Sequence, residues 1–398
     1  MSRLGGIRLD LLVTVALLVA PLVLAVRVAH RRGASPISIV PFLALSALPL
    51  TSFLRAQLFS QLFFVILFAL LVRESRDPSR RVFLAFPLLV LWANLHGAVV
   101  VGAALVALLG ACELAARRPW PRGAVLLVAP WLCLLATPYG LGTVGYYKST
   151  IANPVLRQMV TEWMSPTFTG RHGILLFLLA CAGVALVAKR PRDLTRFELA
   201  ALVLTLAGAM LALRSIPWFA YACLMLLPPL REAIRNPATA REPNRLHAVP
   251  ALVMAVLALG AIVAIALTPT SKLTRLWPPE PIAAVRQVTG ADPNARVLAS
   301  YRYGDWLLYE LPELRGRIAF DGRWELLETE QATRVFDYLW QVGDWERLSD
   351  GYRVIVLDPK LQPDLVKTYD ARRDIRVLYR DARFAVYDRG AAADAGSG

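Results

Sequence analysis

Cysteine and histidine are scarce in this chain, four of each in 398 residues. Cys112, Cys133, Cys181 and Cys223 all fall in apolar stretches without CxxC spacing, which excludes a disulfide-stapled secreted scaffold and a zinc-ribbon protein. Charge is scarce too, at 18% of residues against about 25% in ordinary soluble domains. The P-loop, HExxH and GxSxG signatures are missing. What is abundant is apolar: 57% of residues, with a mean hydropathy of +0.50. That excludes a disordered chain and leaves a polytopic membrane protein.

Acidic residues are rarest where the chain is most apolar. Residues 1–270 hold 25 Lys and Arg against 9 Asp and Glu, whereas 271–398 hold 19 against 20. The excess of +15 therefore belongs to the first part. A pI near 10.1 invites a nucleic-acid reading, but the arginines stand in short clusters between apolar runs and not on one basic face. Lysine is limited to Lys148, Lys189, Lys272, Lys360 and Lys367, and the wealth of Arg, Ala and Leu fits a GC-rich bacterial genome.

A membrane-crossing helix needs roughly 20 apolar residues. Ten stretches qualify as candidates, several of them short: 9–26, 37–54, 57–72, 82–94, 97–115, 123–137, 173–188, 197–213, 217–230 and 248–267. The short ones suggest tilting or broken helices around a cavity. Segments 27–35, 73–81, 116–122, 189–196 and 231–245 carry 18 Lys and Arg between them, and the positive-inside rule puts all five in the cytoplasm. Residues 82–115 then form a hairpin with Asn94-Leu95-His96-Gly97 at its tip, and both the N-terminus and residues 268–398 come out extracytoplasmic. An outside N-terminus bearing Arg3 and Arg8 runs against the same rule. The expectation is a chain lacking its true beginning, or else a first helix that is an uncleaved signal anchor.

With that orientation, polar residues from separate parts of the chain reach one outer level: Arg55 and Gln57, Asn94 and His96, Arg214, and the 138–172 loop with Tyr139, Lys148 and Glu162. A loop of this length is usually functional or mobile. Ionisable groups inside apolar stretches are functional candidates, although Arg55 and Arg214 can equally snorkel or cap helix C-termini. His96 can donate a hydrogen bond or exchange a proton, or simply be part of a polar tip. Apart from Asp10, Glu162 is the only acid near this level to act as a general base, unless it pairs with Arg157. Trp92, Trp131, Trp163 and Trp218 fit an interfacial aromatic belt.

After a stiff Pro-rich linker at 271–280, the composition turns to balanced charge and β-branched runs. Strands are expected at 296–300, 317–321, 353–358, 375–380 and 384–387, alternating with helices near 281–289, 303–311, 329–340 and 361–371. That alternation implies a small α/β domain over 281–390, with 391–398 a disordered tail. Tyr303-Gly304-Asp305-Trp306 and Phe320-Asp321-Gly322-Arg323-Trp324 place Asp305, Asp321 and Arg323 just beyond strand ends, where open α/β sheets often bind ligands. Asp-Gly is also an ordinary turn, and Asp321 with Arg323 an ordinary local pair.

The combination of Arg55-Ala56-Gln57-Leu58-Phe59, Trp92-Ala93-Asn94-Leu95-His96-Gly97, Thr137-Pro138-Tyr139-Gly140 and Glu162-Trp163-Met164-Ser165-Pro166 resembles a group of bacterial polytopic membrane proteins, themselves similar to GT-C type glycosyltransferases. The resemblance spans about residues 1–270, and similar members also carry a Gly-Asp-Trp and Asp-Gly-Arg tail domain. It implies an α-helical polytopic domain with a small α/β extracytoplasmic domain, in a bacterial inner membrane. It also implies transfer of a sugar from a polyprenyl-phosphate-linked donor among the membrane lipids, with Arg and His side chains neutralising the departing phosphate. No organic cofactor or nucleic-acid partner follows from it, and a divalent metal is left open.

In GT-C enzymes a carboxylate in the first extracytoplasmic loop acts as base or metal ligand. That loop would lie upstream of Leu4-Gly5-Gly6, and the chain carries none. The expectation is therefore a glycosyltransferase or a truncated, inactive copy, with Arg55 and Arg214 on phosphate, Gln57, Asn94, Tyr139 and Lys148 around them, and His96 and Glu162 as catalytic candidates. A lipid or anion transporter or flippase is the rival, weakened by the lack of an internal repeat. A non-catalytic envelope-assembly protein is a third reading.

Overall fold

Runs of Leu, Val and Ala placed away from water satisfy their backbone polar groups only as helices. The computed structural model, which describes residues 2–47, 56–236, 249–274 and 277–390, is mostly helical with one small sheet. Two compact units emerge: Met1–Lys148 with Thr161–Thr270, and Ser149–Val160 with Ser271–Gly398. In chain order the helices are α1 (Ser2–Arg31), α2 (Pro36–Ala47), α3 (Ala56–Arg76), α4 (Ala85–Ala93), α5 (Val99–Ala115), α6 (Trp120–Cys133), α7 (Gly142–Ala152), α8 (Pro154–Met159), α9 (Arg171–Lys189), α10 (Arg196–Leu211), α11 (Ile216–Arg235), α12 (Val249–Leu267) and α13 (Thr270–Leu273).

Each expected span falls at least in part on a described helix, but not every one is of crossing length. Four described helices are long and apolar enough to cross a membrane: Gly6–Arg31, Gln57–Arg76, Arg171–Lys189 and Leu213–Arg235. The expected span 82–94 is instead a single 3₁₀ stretch, Arg80–Leu84, followed by the nine-residue α4. Part of the span at 37–54 lies outside the described residues. Helices also exceed the expected number because the 138–172 segment, read as a loop, holds α7 and α8. The signal was present at α8: Asn153 caps it by accepting from the Val155 N–H at 3.0 Å, and Pro154 occupies its first turn.

The second unit continues with α14 (Pro279–Ala291), β1 (Val297–Ala299), α15 (Tyr301–Glu310), α16 (Thr329–Trp340), β2 (Val354–Leu357), α17 (Pro363–Asp370), β3 (Arg376–Arg380) and β4 (Ala385–Asp388). The sheet order is β1-β2-β4-β3, with β1 and β2 parallel and the other pairs antiparallel. The expected strand at 317–321 is reduced to one bridge between Ile318 and Val297, since Gly316 at φ 75 and the Asp321 turn leave too short an extended run between them. Trp277, Tyr303, Trp306 and Phe384 fill the core on one face. α8 packs on α16 within this unit.

In the first unit α11 is buried almost all round, against α1, α2, α9 and α10, as expected for a helix apolar on every side. α5 and α6 touch through glycines: a Cβ on Gly110 would lie 2.6 Å from the Gly123 carbonyl oxygen, the small-residue contact of closely packed membrane helices. The arginine-rich helix ends hold buried acids. Glu198 is fully buried, with Arg32 at 2.9 Å and Arg76 at 2.6 Å, and closes a capping box with Thr195. Glu74 takes Arg122 at 3.1 Å together with the Ser79 N–H and hydroxyl, both at 2.6 Å. Glu113 takes the same Arg122 at 3.3 Å. Glu232 accepts from Ser35 and Ser38.

Removing one partner of a buried pair leaves an uncompensated charge and costs about 3–5 kcal/mol. Arg76 is partly exposed and rehydrates, but Arg32 is largely buried and is left without its carboxylate, so Glu198→Ala is expected to destabilise by about 3–5 kcal/mol. Arg190→Ala, which breaks an exposed pair with Asp193, is expected to cost less than about 1 kcal/mol. Thermal unfolding in one detergent checks both; equal losses would remove the special standing of Glu198.

Candidate functional site

The polar cluster at the opposite end of the first unit grows from the start of α3. Gln57, Ser60 and Gln61 are buried in an otherwise apolar stretch, and their spacing of three and four residues puts them on one helix face. Ser60 receives the indole N–H of Trp92 at 2.8 Å. Its hydroxyl lies 3.0 Å from Nδ1 of His96, and the backbone N–H of Ala98 donates to that same nitrogen at 3.1 Å. Gln61 accepts from the Tyr221 hydroxyl at 2.9 Å.

The tip between α4 and α5 is held from a further direction. Tyr147 on α7 donates to the Gly97 carbonyl at 2.9 Å, and the Tyr146 hydroxyl would stand 3.1 Å from a Cβ at residue 97, so glycine is what allows this approach.

Arg214 arrives on a 3₁₀ turn, Leu213–Ser215, between α10 and α11. Gln57 donates to its carbonyl at 3.1 Å. Its guanidinium lies over the ring of Trp163, 4.1 Å from the centroid, a contact of about 0.5–2 kcal/mol depending on how dry it is. The Leu213 N–H donates to the Met164 carbonyl at 2.9 Å, which lays the 161–165 stretch against this turn. Burial pushes the His96 imidazole down to about 4, and the nearby Arg214 cation acts in the same direction.

Of the residues expected here, the structure brings together Gln57, His96 and Arg214, with Glu162 half-buried on the 3₁₀ turn that carries Trp163. Arg55 lies outside the described residues. Asn94 is not in the cluster: its amide donates to the carbonyls of Val90 and Ala136 at 2.9 and 2.8 Å, bracing α4 against the end of α6. Tyr139 is 81% exposed, and Lys148 is exposed on α7. Ser60 and Trp92 were missed as site residues. The aromatic belt loses Trp92 and Trp218, which are buried in the core with rings 6.4 Å apart. The polar triplet inside an apolar helix was the available signal for Ser60.

In the second unit, Gly304 stands so close to Phe320 that a Cβ would meet its carbonyl at 2.7 Å, and a Cβ on Gly322 would meet Asp305 Oδ2 at 2.9 Å. The two tail motifs therefore pack on each other. Asp321 accepts from the Arg323 backbone N–H at 2.9 Å as well as its guanidinium, and these bonds outweigh burial to hold its carboxyl below the usual range. Among the described residues no group of three His, Cys, Asp or Glu side chains is placed to hold a metal ion.

Comparison of the chain with protein-family models and with curated proteins finds no match.

A histidine with a depressed folded value is disfavoured in its charged form by the folded state. Its contribution is present above the unfolded value of about 6.5 and is lost as pH falls toward about 4. Stability of the wild type is expected to drop across this window more steeply than that of His96→Gln; superimposable pH–melting curves would show that His96 is not held neutral by folding.

Proposed function

We propose that the first unit is the membrane part of a GT-C-like glycosyltransferase that binds a polyprenyl-phosphate-linked sugar at the extracytoplasmic end of its helices, in a bacterial inner membrane. The observation that carries this reading is the meeting of Gln57, His96, Trp163 and Arg214, which come from four separate parts of the sequence, at the end away from the arginine-rich segments. Among the described residues Arg214 meets an indole face and not a carboxylate, which suits a cation kept for an anionic ligand.

In the proposed step an acceptor hydroxyl forms a bond to the anomeric carbon of the sugar as the bond from that carbon to the phosphate oxygen breaks. The hydroxyl proton goes to the Glu162 carboxylate, and the lipid phosphate leaves with the electron pair, its charge met by Arg214 and His96. Charge-assisted hydrogen bonds of this kind contribute about 1.5–3 kcal/mol. Arg214→Ala is therefore expected to weaken binding of a polyprenyl-phosphate sugar to the full chain in nanodiscs by about 10–100-fold. Glu162→Gln is expected to bind donor as wild type does while losing turnover. Wild-type affinity in Arg214→Ala would overturn the donor site.

A further inference from the structure

We propose that Ser60 and the backbone amide of Ala98 hold His96 as a neutral imidazole protonated on Nε2, so that the ring serves the site as a fixed hydrogen-bond donor and never as its proton acceptor. The tautomer stands on the geometry alone; only its consequence for a ligand rests on the transferase reading.

The direction of each bond decides the matter. A backbone N–H can only donate, so the 3.1 Å contact from Ala98 requires a lone pair on Nδ1. An indole N–H can only donate too, so the 2.8 Å contact from Trp92 occupies a lone pair of the Ser60 oxygen. The Ser60 hydroxyl proton is then available to Nδ1, 3.0 Å away. Two donors converge on one ring nitrogen, and a proton there would face both of them. Ser60 and Trp92 are fully buried, so water does not compete for these bonds. The ring proton must reside on the other nitrogen, whose tautomer is set by the bond its partner makes.

Among the described residues Arg214 is the cation acting on the ring, and a second cation beside it would be repelled. His96 Nε2–H and the Arg214 guanidinium together offer donors and no acceptor. Such a pair takes an anionic oxygen, of a phosphate or a carboxylate, and has nothing with which to deprotonate a hydroxyl. His96 thereby leaves the candidates for general base. Ser60 and Ala98 are positioning residues, acting through the ring.

Nitrogen NMR of the full chain in nanodiscs, labelled only at histidine, reads this directly. There are four histidines, and the His96 signals are those lost in His96→Gln. The expected wild-type spectrum at about pH 7 shows a neutral ring with Nε2 protonated, unchanged on lowering to about pH 5, where an ordinary histidine of value about 6.5 is mostly charged. Ser60→Ala removes one donor. Ala98→Pro removes the other at a residue whose φ of −65 is already that of proline. Each is expected to raise the Nδ1–H population severalfold, and the double variant most.

A wild-type ring protonated on Nδ1, or charged at about pH 7, would overturn the proposal, and this needs no variant to fold. A double variant with the wild-type tautomer ratio would overturn the parts given to Ser60 and Ala98. No substrate enters the measurement. Loss of donor binding with the Nε2–H ring intact would therefore overturn the transferase reading while this inference stands.

Discussion

A carboxylate taken out of water at the end of a helix bundle needs cations or hydroxyls around it, because its desolvation costs several kcal/mol. In the first unit that need is met at the arginine-rich ends by Glu74, Glu113, Glu198 and Glu232, all buried. Glu198 joins α1, α3 and α10 through Arg32 and Arg76. Arg122 joins α3, α5 and α6 through Glu74 and Glu113. Glu232 brings α11 to the start of α2 through Ser35 and Ser38. These bonds tie α1, α2, α3, α5, α6, α10 and α11 together at one end. The other ends follow: on α3, Ser60 lies 14 residues before Glu74, about 21 Å at the helical rise of 1.5 Å per residue.

The two ends use arginine differently. At the first, buried acids are matched by arginines drawn from several helices. At the second, Arg214 is held by an aromatic face and by the carbonyl contact of Gln57, while His96 is surrounded by hydroxyl, indole and amide donors. Among the described residues, the partners seen for Arg214 and His96 there are neutral.

Much of the architecture was legible in the sequence. Apolar run length located the longer helices of the first 270 residues but not α7 or α8, and alternation located four strands and four helices of the tail, because both signals are local. The hairpin tip at Asn94–Gly97 followed from arginine placement, and the turn at Arg214 from the break between two apolar runs. Helix length was less legible: α4 is short because a 3₁₀ stretch takes up its first residues, a choice made by packing. The buried acids were not read as such. Each lies beside an arginine cluster, but which helix supplies its partner is tertiary information, as with Arg122 reaching back 48 residues to Glu74. Asn94 was legible as polar and not as a brace, since its partner at Ala136 is 42 residues away. Trp92 looked interfacial by type, yet a buried indole is satisfied once its N–H has an acceptor, and Ser60 provides one.

The agreement of two unrelated constraints gives the candidate site its footing. Arginine-rich segments resist translocation across a membrane, which is a property of how a chain is inserted. Buried glutamates recruit arginines, which is a property of the folded state. Both select the same helix ends in this protein, so the remaining ends, with α3 starting at Gln57, the α4–α5 tip and the α10–α11 turn, are gathered by exclusion as well as by their own hydrogen bonds. Residues so gathered need not be close in sequence, and Gln57, His96, Trp163 and Arg214 are not. Their meeting owes little to local propensity, and the polar bonds among them are directional. A cluster assembled at that cost has its donors turned toward one another's lone pairs and, among the described residues, its guanidinium set over an indole ring.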